Sequence, residues 1–262
     1  MPFWSVASVP YFAFIIATAL ITRDVRPVAR VLAVAGSLLG LALAALAAFT
    51  TVFWLRSVIL PPIVLLIGYR ASGFLWRGPM FNLESKLTAA DHALGVHDLV
   101  RATPRWLAEV LEFSYAGVYP MIPVALLFYV TYSPAADADW FWSVVLVTDY
   151  VCFAMLPFIQ TRPPRALETS EPWTTRLRAM NIRILDHASI RMNTVPSGHA
   201  AEALACALLV LDAPAAVVGV MVVAAAAVSA GAVFGRYHYA VDIIAGWATA
   251  LVVFAVLKNV SA

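Results

Sequence analysis

The sequence predicts an all-α fold: a polytopic bundle of about eight transmembrane helices, with a count of six or seven also compatible. Three observations predict it. Of the 262 residues, 63% are hydrophobic and only 12% charged, against about a quarter charged in an ordinary water-soluble domain. Apolar stretches recur at about the 20-residue length that crosses the hydrocarbon of a bilayer. The charged residues collect in the intervals between those stretches.

The segments follow in order. Residues 3–22 form the first candidate span, closed by Arg23 and Asp24. No basic region precedes it, so it reads as a retained helix rather than a cleavable signal. Residues 28–49 are an Ala- and Leu-rich second span. Residues 57–69 carry Pro61 and Pro62 and read as a short, kinked or partial third. The interval 70–105 mixes Arg70, Arg77, Glu84, Lys86, Asp91 and Asp98 with aromatics and suits an interfacial stretch.

Apolar character resumes over 107–132 and 140–159, separated by a tip containing Pro134, Asp137 and Asp139. A long polar interval, 160–197, follows. Its Arg176, Arg178, Arg183 and Arg191 read by default as a solvated, topology-setting loop. Segments 199–211, 213–234 and 239–257 finish the chain. The expected organisation is one membrane domain, with N-terminal helices and an interfacial loop over 1–105 and a second helical bundle over 106–262.

Charge narrows the partners. A formal net charge of +2, with no basic run interleaved with aromatics, excludes a nucleic-acid groove. Eight helices would place 15 of the 17 Lys and Arg on one face, cytoplasmic by the positive-inside rule. The Ala/Val-rich composition points to a bacterial inner membrane. Cys152 and Cys206 both sit in apolar segments and read as small buried hydrophobes. The partner that composition implies is the bilayer, with assembly as a homo-oligomer left open.

Two clusters break the apolar background. Val195-Pro196-Ser197-Gly198-His199 lies where a polar interval enters an apolar helix. Backbone N–H groups and the positive dipole end there suit an oxyanion, and His199 is placed to exchange a proton with a phosphate ester. In Gly235-Arg236-Tyr237-His238-Tyr239-Ala240-Val241-Asp242, His238 and Asp242 are four apart and share a helical face. A carboxylate beside an imidazole fixes its tautomer and leaves the other nitrogen free to attack phosphorus. Arg236 can offer a planar fork to phosphate oxygens. A third piece, Arg162-Pro163-Pro164-Arg165, falls on the same membrane face in this topology.

Over about residues 155–246 these pieces resemble the type 2 phosphatidic acid phosphatase (PAP2) superfamily, whose pattern is a basic motif ending in Arg-Pro, then Pro-Ser-Gly-His, then an arginine with a spaced histidine and aspartate. The resemblance implies a two-step reaction without metal or other cofactor. His238 would attack phosphorus with Asp242 orienting it, and His199 would protonate the leaving oxygen and then activate the acceptor. Arg162, Arg165, Arg236, Ser197 and the Gly198 backbone would hold phosphoryl oxygens. The implied function is a lipid phosphatase acting on phosphatidic-acid-type, phosphatidylglycerol-phosphate-type or polyprenyl phosphates.

Departures from the family pattern are visible. Met155 stands where the first motif usually has lysine, and only Tyr237 separates Arg236 from His238. The Arg-Pro-Pro-Arg form, with Asn193 and Phe113-Ser114-Tyr115, looks more like the inositolphosphoceramide synthase branch, whose members transfer a phospho-headgroup to an alcohol. A transporter of lipids or anions and a metal site on His199, His238 and Asp242 are the readings from other classes. Glu202, one turn after His199, is a candidate for lining the site. Asp149 reads as a buried structural partner, and His92, His97 and His187 as loop residues.

Overall fold

In the computed structural model the described residues are 1–133, 137–190 and 192–261, with side chains described to residue 259. Pro134 of the expected tip and Arg191 of the expected charged loop lie outside them. Among the described residues every regular element is helical, and a lone antiparallel bridge joins Thr161 to Asn193.

Helix α1 (Phe3–Ile21) and α2 (Pro27–Phe49) are apolar spans, α2 opening on Pro27 at a position where the missing N–H costs nothing. The third segment is longer than the sequence suggested. A five-residue π-helical turn, Leu55–Ile59, leads directly into α3 (Leu60–Gly73), giving an apolar stretch of 19 residues. Pro61 cannot donate to the Ser57 carbonyl, and the widened turn leaves that oxygen to accept from Trp142 Nε1 at 2.6 Å. The prolines are thus absorbed at the start of the span rather than interrupting it.

The interfacial interval folds as two short helices, α4 (Phe81–Ala93) and α5 (Val96–Ala102), joined through Gly95 in the left-handed region at φ 69°. The stretch expected as one span over 107–132 is broken. Helix α6 (Arg105–Ala116) meets α7 (Val118–Tyr132) at a bend of 59°. Pro120 removes the donor that the Ala116 carbonyl would need to continue the helix.

Helix α8 (Ala138–Ala154) has 17 residues. Within the long polar interval, α9 (Arg176–Ala188) is a helix rather than a loop, capped by the Thr175 hydroxyl. Helix α10 (Gly198–Leu209) is short, and α11 (Ala215–Phe234) and α12 (Ala240–Ser261) are long. Among the described residues five helical stretches are long and apolar enough to span a membrane, six if the bent α6–α7 pair counts as one. The expected eight apolar segments are all helical, but α8 and α10 fall short of the length test.

Helix α10 sits at the centre, packed by α7, α8, α11 and α12. Ala200, Ala201, Ala203, Ala205 and Ala207 are buried along it, and small side chains let neighbouring backbones approach. Gly246 of α12 meets the start of α10 closely: a Cβ there would lie 2.6 Å from the Ser197 carbonyl oxygen. On the other flank, Tyr11 of α1 stacks on Tyr150 of α8 at 4.1 Å and donates to the Gly68 carbonyl of α3. Leucines and valines on the outer faces of α2, α7, α11 and α12 stay exposed, as a lipid-facing surface requires.

Candidate active site

Main-chain hydrogen bonds draw the three sequence clusters together. Asn193 N donates to Thr161 O at 2.8 Å, placing the strand-like lead-in to Arg162 beside the lead-in to Ser197. Arg165 N donates to Arg236 O at 2.9 Å, and Ser197 N donates to Asp242 O at 3.0 Å. Each cluster is therefore held by backbone to the other two.

His199 and His238 face each other with ring centroids 5.9 Å apart and planes inclined at 55°. Both line a cavity of about 240 Å³ together with Arg165 and Gly198. That volume is below the usual range of about 300–1,000 Å³ for small-molecule pockets, enough for a polar head but not for long tails. One wall is aromatic: Tyr115 lies 5.5 Å from His199 and stacks on Tyr237 at 4.1 Å. The opposite side is apolar, with Leu65 and Leu66 of α3 and Ile122 of α7. The Arg165 guanidinium lies over the Tyr237 ring at 5.4 Å and also lines a second, polar cavity with Glu168 and Asp186. Arg165 thus stands between the apolar side and the aqueous side.

Asp242 is buried behind His238, with Oδ2 3.5 Å from His238 Nδ1. The same oxygen accepts from Asn193 Nδ2 at 2.8 Å and from the Tyr239 amide at 2.9 Å. These two donors fix the carboxylate, which approaches His238 Nδ1 without closing a hydrogen bond to it.

The remaining expected phosphate ligands are placed differently. Ser197 caps α10, its hydroxyl accepting from the Ala200 amide at 3.4 Å, and the Gly198 amide donates to Thr194 Oγ1 at 3.2 Å. Arg162 is gripped by Glu84 of α4 through Nε at 3.0 Å and Nη2 at 2.8 Å. That hydrogen bonding holds the Glu84 carboxyl below its ordinary range and raises the Arg162 guanidinium. Arg236 is buried, at φ 59°, with Nη1 2.7 Å from Asp91 and Nε 2.8 Å from Glu168. Neither Arg162 nor Arg236 lines the histidine cavity. A guanidinium as buried as that of Arg236 is retained by carboxylates at good geometry, Asp91 from α4 and Glu168 from the segment after Arg165.

The sequence reading passed over a buried hub on Glu112 of α6. Its carboxylate accepts from Trp173 Nε1, Arg178 Nη1, Asn181 Nδ2 and the Tyr237 hydroxyl at 2.7–3.1 Å. Arg178, expected in a solvated loop, is 2% exposed and also donates to the Gly235 carbonyl. Arg176 and Arg183 do face outward. An arginine on a helix face gives no local sign of its buried partner, and Glu112, three residues after Glu109 on the same helix, gives none either. His92 and His97 stack at 3.7 Å at the α4–α5 corner, away from the cavity, and His187 Nδ1 meets the Arg183 carbonyl. Among the described residues no three His, Cys, Asp or Glu side chains gather as a metal site would.

The arrangement provides a fixed imidazole with a carboxylate behind it, a second imidazole across a small cavity, and a guanidinium at its rim. Such a set can pass a phosphoryl group to nitrogen and move a proton on the opposite side. No curated protein and no solved structure matches the chain. A model of the PAP2 superfamily matches residues 79–256, which takes in α4 through most of α12 and all three clusters. On that match the chain belongs to the PAP2 superfamily.

Proposed function

We propose that the protein is a membrane lipid phosphatase working through a phosphohistidine on His238. The observation that carries this reading is the facing pair His199 and His238 on one cavity, with Asp242 behind the second. In the first step His238 Nε2 forms a bond to phosphorus as the P–O bond to the lipid breaks, and His199 gives its proton to the departing alkoxide. In the second, His199 takes a proton from water as its oxygen bonds to phosphorus and the N–P bond breaks. Arg165, at the cavity rim, holds the phosphoryl oxygens, and Asp242 stabilises the imidazolium character of His238. Arg162 and Arg236 flank this centre from their carboxylate partners.

A lipid substrate suits the apolar lining at Leu65 and Leu66 of α3 and Ile122 of α7, where a tail would leave the cavity. The polar cavity beyond Arg165 gives water and released phosphate a route that does not cross the bilayer.

The test is phosphate release by purified protein in detergent, with EDTA, from phosphatidic acid, phosphatidylglycerol phosphate and polyprenyl pyrophosphate. Release that His238→Ala abolishes supports the reading. No release from any of them by folded protein overturns hydrolysis, and turnover only on adding an alcohol acceptor assigns phosphotransfer instead.

A further inference from the structure

Two carboxyl groups in the histidine cavity have no part in the chemistry above. Asp149 of α8 and Glu202 of α10 both line it. They interact with each other. Asp149 is 1% exposed, and its Oδ2 has no hydrogen-bond partner among the described residues. Its Oδ1 lies 3.5 Å from where a Cβ on Gly198 would sit, and Phe153 is as close on the other side.

A buried acceptor without a donor is costly unless a ligand supplies one. A phosphate dianion cannot, because it carries the same sign of charge. Glu202 is three residues beyond His199, about 4.5 Å farther along the α10 axis at 1.5 Å per residue. Glu202 therefore lies beyond His199 along α10, while Asp149 reaches the backbone at Gly198, and both line the cavity that holds the histidines. With a phosphate between the histidines, the groups that reach these carboxyls are those on the first carbons of the lipid.

We infer that Asp149 and Glu202 form a subsite for a hydrogen-bond donor, a hydroxyl or amide N–H, on the lipid backbone next to the phosphate ester. The inference rests on the reading that the cavity takes a lipid phosphate. It makes the substrate class a lipid with such a donor, in preference to a prenyl or plain alkyl phosphate of equal length. Asp149 supplies the open acceptor, and Glu202 sets its orientation and adds a second.

The test is binding, which does not depend on turnover. Affinities of octadecylphosphonate and its β-hydroxy counterpart, neither of which has a cleavable P–O–C bond, are compared by titration calorimetry in detergent. The wild type is expected to bind the hydroxy form about ten- to a hundredfold more tightly, the range for a hydrogen bond to a charged or buried acceptor. The ratio should fall toward one in Asp149→Leu and in Glu202→Met, which replace carboxyls by apolar groups of similar size. Equal binding by the wild type overturns the subsite without any variant, so misfolding of one substitution does not shield it. A ratio unchanged in both variants, with turnover lost, overturns it too and assigns the carboxyls to proton transfer. If the wild type shows the ratio yet releases no phosphate from any lipid, the subsite stands and the hydrolase reading falls.

Discussion

The amide of Arg165 donates to the carbonyl of Arg236 at 2.9 Å, so the residue at the cavity rim is registered directly on the turn that presents His238. One bond joins the first basic cluster to the histidine–aspartate cluster. Arg236 can hold that turn because its own side chain is clamped by Asp91 and Glu168. Helix α4, through Asp91, and the segment bearing Glu168 thereby brace the turn that presents His238.

Breaking that clamp should destabilise the fold rather than weaken phosphate binding alone. Asp91 and Arg236 are both buried, and removing one partner of such a pair costs about 3–5 kcal/mol. Asp91→Asn should lower the melting temperature in detergent, and Arg236→Lys should do the same, since an ammonium cannot fork to both carboxylates. An unchanged melting curve with only KM raised would assign Arg236 to the phosphate.

Asp242→Asn should cost more in rate than in affinity. The carboxylate holds His238 from 3.5 Å while accepting from Asn193 and Tyr239. Loss of the charge behind a catalytic imidazole elsewhere lowers kcat by about 10⁴; here a fall on the order of 10²–10⁴ is expected, read from initial rates at saturating lipid. Asn193→Ala frees one side of the carboxylate and should give a smaller fall in the same parameter.

Gly246 has no room for a side chain. A Cβ there would press on the Ser197 carbonyl at 2.6 Å and on the first turn of α10. Gly246→Val should displace His199 from His238 and reduce kcat/KM at least tenfold, as small misplacements of catalytic groups do. A variant with full activity would show that α12 can slide without moving α10.

Acid should release the α4 brace on Arg162. Glu84 is held below the ordinary carboxylate range by its hydrogen bonds to Arg162. A depressed folded-state pKa gives stability that is fully present above the unfolded value of about 4.3 and is lost as pH falls through the folded value. The wild type should therefore lose melting temperature on acidification below about pH 4 more steeply than Glu84→Gln. Parallel pH profiles would mean the pair contributes nothing to stability.

The helical bundle and the identities at the centre of the site were legible in the chain itself. Apolar runs of membrane length report helices because a backbone in hydrocarbon must satisfy its own hydrogen bonds. The four-residue spacing suggests a shared helical face, but His238 lies in the turn before α12 and only Asp242 is on the helix, the two still meeting at 3.5 Å. Pro-Ser-Gly-His marks a helix start by the same local logic, and α10 begins there.

Partner choice among the charges was not legible, because it is made between elements far apart in sequence. Arg162 finds Glu84 and Arg236 finds Asp91 across 78 and 145 residues, so nothing near either arginine forecasts its occupation. The break at Gly117 and the π-turn before α3 depend on which freed carbonyl meets a donor, and Trp142 is supplied by α8. Sequence alone determined that this chain is a membrane bundle carrying two histidines and an aspartate fit for phosphoryl chemistry. Tertiary structure decided that Arg165 shares their cavity, that Arg162 and Arg236 brace it, and that Asp149 and Glu202 face into it, because burial and ion pairing are set only when distant helices pack.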